Sequence, residues 1–137
     1  DGKGIKYVEA TITNSSELTQ AAQSLVEKAD AIFTPTDNTV ASAMPVLSAE
    51  AQKAGIPVYT GADSMVIDGG FATVGIDYTI LGRQVAEIVK KVIDGVQISN
   101  IPAETLSEFA TIVNLTTAEK IGVELSDEQL KGFQIVE

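Results

Sequence analysis

Three short apolar runs, each cut off by a loop of small polar residues carrying an aspartate, constrain this chain more than any other feature. Residues 31–33 end in Pro35, Thr36, Asp37, Asn38 and Thr39; residues 56–60 end in Gly61, Ala62, Asp63 and Ser64; residues 71–76 end in Asp77 and Tyr78. Runs of this length read as buried strands, and Pro35 cannot donate to a ladder. Helical spacing follows or precedes each run. Leu18, Ala21, Ala22, Leu25, Val26 and Ala29 share one face, as do Val40, Ala43, Met44, Leu47, Ala51 and Ala54, and then Leu81, Val85, Ile88, Val89 and Val92. Strand, helix, strand, helix, strand with short loops predicts an α/β fold, a parallel sheet with helices on both faces. In such a sheet the loops beyond the carboxyl ends of the strands face the ligand crevice.

The remaining elements follow from local signals. Residues 5–13, with Tyr7, Val8 and Ile12, read as a further strand bounded by Gly4 and the Asn14, Ser15, Ser16 cluster. Asn14 with Glu17 fits a capping box that opens the first helix. Pro45 removes one helical hydrogen bond and predicts a kink or a late helix start before Gly55 closes the second helix. The stretch 61–70 is short for a parallel crossover, so one turn of helix around residues 64–67 must serve. Residues 79–94 form the clearest helix, with Lys90 and Lys91 near its negative end, Gly95 after it, and Arg83, Gln84 and Glu87 on its outer face. Residues 96–105, containing Pro102, read as a connection, and residues 109–115 as a strand that returns to the sheet or runs along its edge. Thr116 with Glu119 and Ser126 with Gln129 fit two more capping boxes, the first helix closed by Gly122; Phe133, Ile135 and Val136 give the tail an apolar anchor. Asp1 to Gly4 looks like the end of a helix and its glycine turn, an expectation that the fold continues ahead of Asp1.

Composition narrows the chemistry. At 137 residues the chain is one domain by length. A net charge of −10 repels a phosphate backbone, so nucleic acid is not an expected partner. With no His and no Cys, the usual general base, thiolate chemistry and the usual transition-metal ligands are missing. No secretory leader pattern opens the sequence and no apolar run approaches the ~20 residues of a membrane-spanning helix. Walker and G-x-G-x-x-G loops are absent, and Asp63 and Asp68 are too sparse for an EF-hand, so no metal or cofactor is implied.

Asp37 has two readings. It, or Asn38, accepts from the free N–H groups of the helix that follows, as short polar residues at helix starts do. Alternatively it hydrogen-bonds a small molecule in the crevice. Three successive strands delivering Asp37, Asp63 and Asp77 toward one rim favour the second reading.

The combination of PTDNTV at residues 35–40, IPVYTGADS at 56–64, the G-x-D-Y-x-x-L-G-R-Q opening at 75–84 and VNLTTAEKIGVEL at 113–125 resembles a known family. It is similar to the C-terminal half of ABC-transporter substrate-binding proteins of the tryptophan and tyrosine binders, with a type 1 periplasmic-binding-protein fold. The resemblance covers nearly the whole chain from Tyr7 onward. It implies two α/β lobes joined by crossing strands and closing on one ligand, of which residues 1–137 would be the C-terminal lobe. It places Thr36, Asp37, Asn38, Asp63, Ser64, Asp77 and Tyr78 at the cleft. For an amino-acid ligand, Asp37 or Asp63 would accept from the ammonium, an Asn or Ser would fix orientation, and Tyr78 would stack on an aromatic side chain. On the plainer reading, Asp77 is a hinge residue held by backbone bonds and Tyr78 a half-buried aromatic.

The family also carries a whole N-terminal lobe and a central strand ahead of the point where this chain begins. The helix at residues 79–95 would pack on that absent lobe, or a second copy of the chain would fill the gap. The implied function is solute binding for an ABC importer, with a permease as partner, no catalysis, and an extracellular or periplasmic, lipid-anchored parent. Two other classes stay open: the effector lobe of a transcriptional repressor, which needs a basic headpiece upstream, and a doubly wound enzyme domain using Asp37 as phosphoacceptor. The second would want an acidic pair for Mg²⁺ and a positioned Lys, which the sequence does not place.

Overall fold

The computed structural model describes residues 3–106 and 108–137. Its core is a five-stranded sheet in which the strands lie side by side in chain order. They are β1 (Ile32–Thr34), β2 (Val58–Thr60), β3 (Ala72–Gly75), β4 (Ala110–Asn114) and β5 (Gln134–Val136). β1, β2 and β3 run parallel, β4 runs antiparallel to β3, and β5 runs parallel to β4. The expected parallel α/β sheet is therefore present with one reversal, because residues 109–115 return to the sheet from the opposite end.

Helix α1 (Leu18–Val26) leads into β1, α2 (Asn38–Ala41) and α3 (Met44–Lys53) join β1 to β2, and α4 (Asp63–Ile67) joins β2 to β3. Asn14 caps the 3-10 turn at Ser15–Glu17 that leads into α1, its side chain accepting from Ser16 N and donating to Glu17; α1 itself starts after Glu17 with no side-chain cap. Pro45 acts as expected: the helix breaks after Ala41 and restarts at Met44, leaving the proline in the first turn, where its missing N–H costs nothing. Gly55 closes α3 with φ +70°. The short crossover between β2 and β3 is served by the single turn of α4.

One face of the sheet is closed. Leu18 and Ala22 of α1, Met44, Leu47 and Ala51 of α3, and Met65 pack on Ile32 and Val58, and Met44 is wholly buried. The other face is covered only toward its far side, where Phe71, Ala72 and Val113 meet Ala118 and Ile121, with Leu125, Leu130 and Phe133 beside them. Pairing puts Phe33, Tyr59, Ala72 and Val113 in one row on this second face. Phe33 is 69 % exposed and Val74, on the same face, 72 % exposed.

The long helix α5 (Tyr78–Ile93) has no buried residue at all. Val85 and Val89 of its apolar stripe are each 50 % exposed. It is tied to the chain that follows: Gln84 Nε2 donates to Thr105 O (2.8 Å) and Glu104 Oε2 (3.1 Å), and Lys91 Nζ reaches Glu104 Oε1 at 3.2 Å. The Gln84 amide and then the Lys91 ammonium hold the Glu104 carboxyl below its ordinary value.

Three expectations are corrected. Residues 5–13 form no strand: they lie outside the helices with only Ile12 packed on the core, because no strand among the described residues offers them a ladder. The Thr116–Glu119 capping box is absent; Asn114, the last residue of β4, caps α6 (Leu115–Lys120) by accepting from Thr117 N at 2.8 Å. The tail does more than anchor, since Ile135 and Val136 belong to β5. The Ser126–Gln129 capping box of α7 (Asp127–Leu130) is formed on both sides, and Gly122, with φ +73°, follows α6 as expected. The reading of Asp1 and Gly2 as a helix end lies outside the described residues.

Two tests follow from this packing. Ser48 Oγ on α3 is buried with no hydrogen-bond partner. Removing a desolvated orphan hydroxyl from a helix should leave stability unchanged or raise it by about 1 kcal/mol. Thermal unfolding of Ser48→Ala checks this, and a drop of several degrees would mean that the hydroxyl has found a partner such as a buried water. The exposed stripe of α5 should make the 137-residue chain self-associate in light scattering. Val85→Lys together with Val89→Lys should reduce that association.

Candidate functional site

Parallel pairing sends β1, β2 and β3 the same way, so their carboxyl-terminal loops emerge on one rim. The loops touch through backbone. Beyond the ends of β2 and β3, Ile76 N donates to Gly61 O and Asp63 N to Ile76 O, both at 3.1 Å. Ala62 and Ile76 form an isolated parallel bridge there. Below it, Thr34, Thr60 and Thr73 are buried, with Thr73 Oγ1 donating to Thr60 O at 2.6 Å and Thr60 Oγ1 to Ala62 O at 3.0 Å. The first loop presses on the second at Thr36, against Gly61.

All seven residues singled out in the sequence lie on these loops or on the helix starts they lead into. Asp37 is the N-cap of α2: its Oδ1 accepts from Thr39 N (2.8 Å) and Val40 N (3.0 Å). Asp77 is the N-cap of α5 in the same way, with Oδ1 accepting from Thr79 N (2.8 Å) and Ile80 N (3.0 Å). Asp63 opens α4, and its Oδ1 accepts from Ser64 N at 2.7 Å. The capping reading of Asp37 is thus real, and so is the backbone-held reading of Asp77. Neither excludes a ligand, because each cap uses Oδ1, and Oδ2 has no hydrogen bond among the described residues.

Thr36, Asp37, Asn38 and Ser64 are exposed, Asp63 and Asp77 are half-buried, and Tyr78 is 47 % exposed at the start of α5. The three loops adjoin, but their carboxylates are not gathered into a group that could hold a metal ion among the described residues. No Lys or Arg occurs in the loop stretches 35–40, 61–64 and 75–79. The rim is acidic, open and rich in hydroxyl and amide groups. It can accept hydrogen bonds from a cationic solute.

Sequence reasoning missed the buried threonines beneath the rim and the part played by Gly61 and Gly75. The threonines belong to apolar runs and look like ordinary strand formers. The glycines look like turn residues, yet neither has positive φ; what marks them is close approach, which only coordinates reveal.

Strand-end rims of open α/β sheets are where such folds take ligands; the chain's family is assigned by its relatives. The family model for the ABC transporter substrate binding protein matches residues 1–135, and the chain belongs to that family. It is 38 % identical over 127 residues to the tyrosine-binding protein of Clostridioides difficile (strain R20291), a match spanning 92 % of this chain and 37 % of that protein. Its fold is similar to a crystal structure of a conserved domain protein from Vibrio cholerae, with TM-score 0.87 and 32 % identity over 99 % of this chain and 46 % of that one. It is similar also to an ABC domain from Streptococcus pneumoniae in complex with L-Trp, with TM-score 0.80 and 28 % identity over 92 % of this chain and 43 % of that one. The chain spans less than half the length of these relatives.

Asp77→Ala should remove the acceptor for two N–H groups and cost about 0.5–2 kcal/mol at the start of α5. Hydrogen exchange reads it: Thr79 and Ile80 amides should exchange faster in Asp77→Ala, while Asp77→Asn, which keeps a capping oxygen, should resemble the parent.

Proposed function

We propose that this chain is the C-terminal lobe of the solute-binding component of an ABC importer, taking an aromatic amino acid in a cleft closed by a second lobe. The observation that carries the reading is the meeting of three strand-end loops on one acidic rim with no basic residue. One relative is named for tyrosine, and another was crystallised with L-Trp. In this reading Asp37 or Asp63 accepts from the ligand ammonium, Asn38 or Ser64 fixes its orientation, and Tyr78 stacks on its ring. Thr36 and Asp77 complete the wall. With no Lys or Arg on these loops, the ligand's carboxylate falls to the other lobe. The wet stripe of α5 packs on that lobe, which supplies the surface this chain leaves open. The whole protein would be extracellular or periplasmic, held by a lipid, passing its cargo to a permease and catalysing nothing.

Calorimetry on the full-length protein with tyrosine, tryptophan and phenylalanine tests the reading, and Asp37 sharpens it. Asp37→Asn keeps an oxygen for Thr39 N and Val40 N but removes the charge. A charge-assisted hydrogen bond is worth about 1.5–3 kcal/mol, so affinity should fall at least about tenfold with the melting temperature held. Asp37→Ala should lose both affinity and stability. Full affinity in Asp37→Asn would reduce Asp37 to a cap.

A further inference from the structure

The rim has a second layer, made of backbone. Between the pair Tyr59–Ala72 and the bridge Ala62–Ile76, the β2 side advances three residues while the β3 side advances four. The extra residue makes an irregularity of the β-bulge type, and Gly75 lies within it. A Cβ built on Gly75 would stand 2.5 Å from Thr73 Oγ1 and run into the carbonyl oxygen of Gly61. A Cβ built on Gly61 would stand 2.7 Å from Thr36 Oγ1, 2.8 Å from Thr36 N and 3.3 Å from the carbonyl carbon of Pro35. Both glycines have a backbone that any L-residue can adopt, so space alone demands glycine here. Most of the obstructing atoms are backbone, which cannot swing aside as the end of a side chain can. The third loop therefore leans on the second through Gly75, and the second on the first through Gly61.

We propose that Gly61 and Gly75 are positioning residues of the ligand site, setting the spacing between the Thr36–Asn38, Asp63–Ser64 and Asp77–Tyr78 groups. The proposal rests on the ligand reading above. A methyl at Gly61 pushes the loop bearing Thr36 and Asp37 away from the one bearing Asp63. Thr36 is exposed, so this loop can move outward without opening the core. The groups on the two loops then no longer fit one ligand together, and ligands of different size feel the change unequally.

Gly61→Ala and Gly75→Ala are made in the full-length protein. Affinities for tyrosine and tryptophan are read by calorimetry, and the melting temperature without ligand is read alongside. Gly61→Ala should bind roughly tenfold more weakly or worse, with an altered tyrosine-to-tryptophan affinity ratio, while ligand-free melting stays near that of the parent. Gly75→Ala, whose Cβ meets the Gly61 backbone inside the sheet, should lose melting temperature together with affinity. Unchanged affinities and ratio in both variants, or loss of the folded state in both, would overturn the proposal and make the glycines servants of the fold alone. A parent that binds neither amino acid would instead defeat the ligand reading, and the proposal with it.

Discussion

The junction of β2 and β3 is the constraint on which the rim depends. The ladder there is broken by an extra residue in β3, and the Thr73 hydroxyl takes over a carbonyl, that of Thr60, which regular pairing would give to a backbone N–H. Both threonines are buried, so the bond forms away from competing water, and an unmet carbonyl at that depth would be costly. Because the hydroxyl closes the gap, the strands can part and rejoin without loosening. The rejoining, at Ala62 and Ile76, is what brings the Asp63 and Asp77 loops into backbone contact.

The two faces of the sheet are unequal. On one, α1 and α3 bury methionine, leucine and alanine against β1 and β2. On the other, Phe33 and Val74 stay in water, and among the described residues β1 pairs only with β2. The long helix adds a second apolar surface without a lid. Its hold on this chain is polar, through Gln84, Lys91 and the 104–105 segment, and such contacts near the surface contribute little. Apolar area is thus left wet on two surfaces, the second face of the sheet and the stripe of α5.

Much of this was legible in the sequence because its signals are local. Helical spacing placed α1, α3 and α5, Pro45 placed the break between α2 and α3, and the acid-bearing loops fell at strand ends as their composition said. What escaped was set by distant partners. Residues 5–13 have β-branched and aromatic residues enough for a strand, but a strand also needs a neighbour. The three residues of β5 carry too little pattern to be read without β4 beside them. Asn114 outcompeted Thr116 as a cap because β4 ends where it does, which is a fact about the sheet. On the site, residue types pointed to the rim, while the glycine contacts and the buried threonines that hold it together are properties of three-dimensional approach.

Under the proposed function Asp37 and Asp77 would cap helices and face the ligand at once, which bears on how such a rim can change over generations. A helix start accepts Asp, Asn, Ser or Thr with small differences in stability. Each position can therefore drift among these residues while the fold beneath it survives selection. The charge and reach offered to a solute change with every such step. A family built this way can wander from one cargo to another along a path on which every intermediate still folds.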